Sequence, residues 1–487
     1  MSKQDFRIAV IGAGPLGIAA GRELLAQGFN NFTIFEKERA AGGTWHMHSY
    51  PGLACDVWAH AYTFSYAPNP DWSASFVGHA EIEAYLQRCA TDFGLDPYMQ
   101  FNTRVLSAKF QADQWQVHTQ TSAGETAVEA FDVVINAMGN QHTPVYPKLK
   151  GIDSFEGSSW HSTHWNHDID LTGKRVVVVG SAAAAVQIVP EVAKVAKQLT
   201  VLQRSPNWIL PRGRKVYSAF QRTLFNRIPA LARLLRWGQG RLMLLMHKGA
   251  MNGSKQMDTF ENMGRKYIAK AIKDPAIQKM VTPSSRFGCK RPLVADDFYP
   301  TLNLQHVRLL AEGASEVTPT GIVTSGGSHI DADIIIYCTG YRVLDYDRIE
   351  VLGKEQQNLA QLLEQKPEAY KGITVPGFPN YFFGMGPNAV VLSVSYFKSL
   401  EPNVACIVNL LAKMRAEGVA SIDVKRDLHA QYGEWLQQNI PLFSWGSGGC
   451  NTYYQTDSGH HPFIFPGDYK TFLKQRAESG LHEYELT

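Results

Sequence analysis

A short apolar run, R-I-A-V-I-G at residues 7–12, leads into a glycine-rich turn, G-A-G-P-L-G, and the turn opens a helix-like stretch, I-A-A-G-R-E-L-L-A-Q-G. A second strand-like run, N-F-T-I-F-E, ends at Glu36. Few chain paths accept this order. Strand, three-glycine turn, helix and a second strand ending in an acid form the βαβ opening of a dinucleotide-binding sheet. Gly12 permits the tight turn, Gly14 lets the backbone approach a pyrophosphate, and Gly17 lets the helix pack closely on the strand. The helix N-terminus then faces the phosphates, and Glu36 is placed to accept hydrogen bonds from a ribose.

The pattern recurs at K-R-V-V-V-V, residues 174–179, which enters G-S-A-A-A-A at 180–185. Gly180, Ser181 and Ala182 are the residues expected against a second dinucleotide. Ala182 occupies the position of the middle glycine and places a Cβ where a pyrophosphate approaches, whereas Ala185 is a tolerated replacement for the last one. The next strand, Q-L-T-V-L-Q, is followed by Arg204 and Ser205 instead of an acid. An arginine there suits a 2′-phosphate, so NADP(H) is expected over NAD(H). The fold class read from these units is α/β, with two Rossmann-like dinucleotide-binding domains and a helical insertion. Two nucleotide units in one chain suggest electron transfer from a nicotinamide to a second dinucleotide, and the unbroken first turn with Glu36 suits FAD. Residues 1–145 and 345–487 are thus expected to form a discontinuous FAD-binding domain, 150–211 and 285–344 the NADP-binding domain, and 212–284 the insertion.

A chain of 487 residues accommodates two to four domains at roughly 150 residues each. Apolar residues make up 45% and charged residues 19%, the balance of a globular protein with a large core. A net charge of +3 without a Lys/Arg-rich run gives no reason to expect nucleic acid as a partner. The six cysteines have neither C-x-x-C pairing nor metal-ligand spacing, so no metal site is expected and all six are read as free, buried thiols in a reducing compartment. The N-terminal M-S-K-Q-D-F-R-I-A-V runs straight into strand pattern, which reads as cytoplasmic. No apolar run reaches bilayer-spanning length.

Residues 226–248 contain I-P-A-L-A-R-L-L-R-W-G-Q-G-R-L-M-L-L-M-H-K. Its basic amphipathic face fits peripheral contact with a membrane, although packing on the main body with solvated basic residues is the favoured reading. The connector G-I-D-S-F-E-G-S-S-W-H-S-T-H-W-N, residues 151–166, carries aromatic residues, histidines and glycines without a helix or strand period. Further on, Lys290 and Arg291 follow F-G-C, and residues lining a substrate pocket are expected from the insertion and from segments 386–396 and 445–455. Tyr396 and Trp445 are candidates to face a substrate there, against the commoner role of such residues in a core.

The order F-x-G-x-x-x-H-x-x-x-W, carried by Phe155, Gly157, His161 and Trp165 just before the second glycine turn, resembles the fingerprint of class I Baeyer-Villiger monooxygenases. Asn166 departs from the proline or aspartate usual at the next position. The resemblance extends over nearly the whole chain: Gly43, Thr44 and Trp45 in G-G-T-W, then Y-P-G, then Cys55 and Asp56, resemble the flavin side. Q-R-S-P from Gln203 resembles the NADP side, and Lys290–Arg291 the segment with the active-site arginine.

The resemblance implies FAD and NADP(H) as cofactors and a small-molecule ketone and O2 as substrates. In that family reduced flavin forms a C4a-peroxyflavin that attacks the carbonyl to give an ester or lactone. Arg291 would supply a fixed positive charge, Asp56 would hold it, and Lys290 would join Arg204 and Ser205 on the 2′-phosphate. Phe155, Gly157, His161 and Trp165 would couple domain movements. Sulfide or amine oxygenation, an uncoupled NADPH oxidase and a flavin-binding module without catalysis are competing readings. A disulfide reductase fits poorly, because Cys55 has no cysteine near it in sequence.

Overall fold

Ile8–Ile11 is buried at every residue and takes Phe32–Phe35 and Val133–Asn136 as parallel neighbours. Met99–Gln100 extends the sheet on one side and Tyr381–Phe383 on the other, so a strand from the C-terminal part of the chain completes a sheet begun at the N-terminus. A parallel sheet is covered on both faces, which is why its strands read as unbroken apolar runs. The computed structural model describes residues 5–487 except 343, 344, 448, 451, 453, 457 and 458.

A second parallel sheet has the order Val307–Leu310, Gln198–Leu202, Arg175–Val179, Ile334–Tyr337, Ser158–His161. Its edge strand comes from the connector at 151–166, where four residues paired on one side only are too few to show alternation. The chain crosses between the sheets twice, and the crossings run side by side. The Val145 amide donates to the Gly340 carbonyl at 2.9 Å and the Arg342 amide to the Thr143 carbonyl at 3.0 Å.

Between two strands of this second sheet, Gln198–Leu202 and Val307–Leu310, the chain inserts the helices Ala219–Arg227, Pro229–Ala250, Lys255–Ala271 and Pro275–Val281. An antiparallel sheet of Thr103–Gln111, Gln114–Thr121 and Thr126–Phe131, edged by Glu350–Leu352, sits on the first unit. One buried cluster runs from Val10 through Val178 and Ile336 to Leu400 and Leu436, binding both units to the C-terminal helices.

The reading of six free thiols is corrected. Cys289 and Cys450 form a disulfide across 161 residues, leaving Cys55, Cys89, Cys338 and Cys406 free and buried. Spacing along the chain carries no signal for such a pair, because only the fold brings the residue before Lys290 to the C-terminal segment. The bond also removes the thiol argument for a reducing compartment. Among the described residues no helix is long and apolar enough to cross a membrane. Titration in denaturant without reductant is expected to find four thiols, rising to the full six after reduction; six before reduction would rule the disulfide out.

Candidate active site

Gly12 leaves the first strand at φ +108°, and Gly17 is held more tightly still: a Cβ on it would lie 1.8 Å from the Gly12 carbonyl oxygen. Only glycine lets the helix Pro15–Ala26 seat there. Gly14 precedes that helix and abuts Gly43, whose Cβ would stand 2.9 Å from the Gly14 Cα. Two bare backbones thus form one wall, continued by Thr44 and by Trp45, whose indole N–H donates to the Tyr62 hydroxyl at 3.1 Å. Glu36 is buried at the end of the second strand. Its carboxylate accepts from the Ala13 amide at 2.7 Å and the Glu38 amide at 2.9 Å, which pins the acid to the turn.

These residues open into a cavity of about 660 Å³ that also contains Asp56, Arg291, Gln187 and Tyr341. Its lining also includes the largely apolar set Met243, Leu392, Val394, Tyr396 and Phe463. At the junction one Arg291 amino group donates to both Asp56 oxygens, at 2.7 and 2.6 Å. Both side chains are part-buried, which strengthens a charge-assisted pair relative to one in open water.

The second glycine turn repeats the logic of the first. Gly180 has φ +115°, and a Cβ would fall 2.4 Å from the Cys338 carbonyl oxygen. The Ser181 carbonyl accepts from Asn207, and exposed Ala182 precedes the helix Ala183–Val192. Lys290 donates to the Ser205 hydroxyl at 2.5 Å. Burial, and then the charge of Arg204, lower the Lys290 pKa, so the group of three favours an incoming anion. Lys290, Arg204 and Ser205 are donors able to hold a phosphate and the first turn is bare backbone able to face a pyrophosphate, so the residues present fit two dinucleotides.

The Flavin-binding monooxygenase-like family matches residues 5–366. The chain belongs to that family. A Baeyer-Villiger monooxygenase of Pseudomonas aeruginosa is 35% identical over 99% of this chain and 91% of its own length, and one of Streptomyces coelicolor is 34% identical over 99% and 93%. Among solved structures, OTEMO in complex with FAD and NADP superposes with a TM-score of 0.87 at 25% identity, and oxidized steroid monooxygenase bound to NADP with 0.86 at 26%. Each covers 99% of both chains.

The connector runs from beside Asp333, at the start of the strand Ile334–Tyr337, to the double crossing at its end, where His161 sits. Phe155 folds over Gly157, where a Cβ would lie 2.6 Å from its ring and 2.5 Å from the Asp333 carbonyl oxygen. His161 is fully buried, meets Tyr146 and Tyr341 edge-on, and its Nδ1 accepts from the Thr163 amide at 3.1 Å. Tyr341 in turn stacks on His48, and Trp165 meets Trp160 edge-on. A chain of rings therefore links the second sheet to the loop after Trp45.

Sequence reasoning passed over Gln187. Its Nε2 donates to the Ala54 carbonyl at 2.9 Å and its Oε1 accepts from the Tyr50 hydroxyl at 3.1 Å. Gly52 presses on the same helix, with a Cβ position 2.4 Å from the Gln187 carbonyl oxygen. The Y-P-G loop is thereby seated on the second unit, carrying Asp56 to Arg291. A polar residue on a helix gives no signal of such a partner. Tyr396 lines the cavity, whereas Trp445 packs on Phe443 and His461 and is 2% exposed, the core role that is commoner for such a residue. Within 445–455, Gly448, Asn451 and Tyr453 lie outside the described residues.

Burial pulls His48 and His161 down to about 4, assisted by His164 in both and by His161 itself in the case of His48. Both rings are neutral in the folded protein near neutrality, while the unfolded chain takes up protons near pH 6.5. Stability is thus complete above about pH 6.5 and is lost as pH falls toward about 4. The thermal unfolding midpoint is expected to drop across that window, with a shallower slope in His48→Asn; an unchanged slope in the variant would exclude His48 as a contributor.

Proposed function

We propose that this chain is an FAD- and NADPH-dependent oxygenase that inserts one atom of O2 beside a ketone carbonyl, releasing the other as water and giving an ester or lactone. FAD would lie against Gly12, Gly14, Gly17, Glu36, Gly43, Thr44 and Trp45, with Asp56 at its far end. NADP(H) would lie against Gly180, Ser181, Ala182, Arg204, Ser205 and Lys290. The corresponding division of the chain is 1–145 with 345–487 for FAD, 150–211 with 285–344 for NADP, and 212–284 as a helical insertion. The observation that carries this reading is the single cavity joining the first glycine turn to the Asp56–Arg291 pair and then to an apolar wall. The Baeyer-Villiger relatives and the FAD- and NADP-bound structures support it.

When bound and reduced by NADPH, FAD supplies the chemistry of oxygen activation. The chain supplies three other things. Arg291 keeps a positive charge at every working pH and offers directed donors to oxygen atoms that gain negative charge in the reaction. Asp56 fixes that guanidinium in one orientation. The wall of Met243, Leu392, Val394, Tyr396 and Phe463 seats an apolar ketone and keeps water from the reacting atoms.

Product analysis with a cyclic ketone and a matched sulfide tests the chemistry. An ester or lactone as the main product is expected, falling by roughly 10²–10³-fold in Arg291→Ala with FAD content retained. Sulfoxide alone, or hydrogen peroxide equal to the NADPH consumed, would overturn the ketone reading.

Phe155, Gly157, His161 and Trp165 are assigned to coupling the two units, on the packing of His161 between Tyr146 and Tyr341 at the double crossing. His161→Ala is expected to slow flavin reduction and to raise the fraction of NADPH lost as peroxide. Unchanged rates of both would leave this connector a purely structural role.

A further inference from the structure

The helix Pro229–Ala250 presents two unlike faces. Ala232, Gln239, Met243 and His247 are buried, and Met243 lines the cavity. On the outer side Leu234, Trp237, Arg241 and Leu245 follow at steps of three, four and four, which places them on one face. Leu234 and Trp237 are each 62% exposed, Leu242 is 52% and Leu245 is 43%. Phe220 on the preceding helix is 75% exposed, and Ile228 between the two helices is 46%. Single exposed apolar residues are ordinary; a run of this kind at helical spacing, with a tryptophan in it, marks an interaction surface.

Charge identifies what covers it. From residue 211 to 257 there are ten lysines and arginines and no aspartate or glutamate, although the whole chain is only +3. Arg227, Arg233, Arg241 and Lys248 are all exposed. Arg241 also lies over the Trp237 ring, 5.5 Å from its centroid, so charge and aromatic face form one surface. A second copy of this chain would bring the same positive charge against it. A lipid surface carrying anionic headgroups offers both components: acyl chains for leucine and tryptophan side chains, and phosphate oxygens for the flanking arginines.

We propose that the outer face of Phe220–Leu245 docks the protein peripherally on an anionic lipid bilayer, with Trp237 and Leu234 inserted at the headgroup boundary. The packed-on-the-body reading applies to the inner face only. The sign and position of the charges make attachment electrostatic in its approach and apolar in its hold, so it responds both to lipid charge and to salt.

The test is flotation of the FAD-loaded, full-length protein with phosphatidylcholine vesicles, with and without phosphatidylglycerol, at low and high salt. Binding about tenfold or more tighter to the anionic vesicles, and weakened by salt, is expected. Leu234→Glu/Trp237→Glu is expected to abolish it, with NADPH oxidation on a water-soluble ketone unchanged as evidence that the fold is intact. Arg233→Glu/Arg241→Glu is expected to remove the preference for anionic lipid. Equal binding to both vesicle types, undiminished binding by the Leu234/Trp237 variant, or a wild-type dimer that this variant converts to a monomer without any vesicle binding would each overturn the proposal.

Discussion

Asp56 and Arg291 stand 235 residues apart in the chain and meet through two hydrogen bonds from one guanidinium nitrogen. Their contact requires the loop after Y-P-G, which belongs to the first unit, to lie against a segment that follows the helical insertion. Gln187 holds that loop by Tyr50 and Ala54, and Gly52 makes room for the helix backbone beneath it. Cys289, one residue before Lys290, is tied to Cys450. The segment carrying Lys290 and Arg291 is thus fixed from both sides, by an ion pair and by a covalent bond. A guanidinium held in this way loses little orientational freedom when a ligand arrives, which is what an electrostatic site in a part-buried cavity needs.

The two glycine turns show the same physics at different strengths. In the first, backbone meets backbone at Gly12–Gly17 and Gly14–Gly43, and a buried carboxylate ties the turn to the next strand. In the second, Gly180 makes the equivalent close approach to Cys338, but Ala182 stands where a bare backbone would be most open to a phosphate. Charge compensates at the other end of that site, where Arg204, Ser205 and Lys290 converge. In the proposed placement of NADP(H), the second site would rely more on cationic side chains and less on backbone amides than the first.

Much of this was legible because the signals are local. The three glycines and Glu36 occur within one strand–turn–helix–strand passage, so steric necessity writes them into adjacent residues. The turn at Gly180 is legible in the same way from its local strand–turn–helix order, although the close approach that also requires glycine there comes from distant Cys338. Phe155, Gly157, His161 and Trp165 were legible as a pattern, but not as an edge strand: Ser158–His161 pairs on one side only and is too short to alternate. Trp445 takes the core position that is commoner for an aromatic residue. A glycine-rich run carries no indication of which way the ring faces, so only its packing on Phe443 and His461 separates core from substrate wall. Gln187 was missed because its two partners lie more than a hundred residues earlier.

The order of residues alone dictates the two strand–turn–helix units and the positive-φ glycines that open them, since each is written within one short passage of chain. Folding in three dimensions is needed to bring Asp56 and Arg291 into one cavity with Met243 and Phe463, to join Cys289 to Cys450, and to turn Trp237 outward and Trp445 inward. Those outcomes depend on where distant segments come to rest against each other, and the packing of one buried core, rather than any local spacing, settles that.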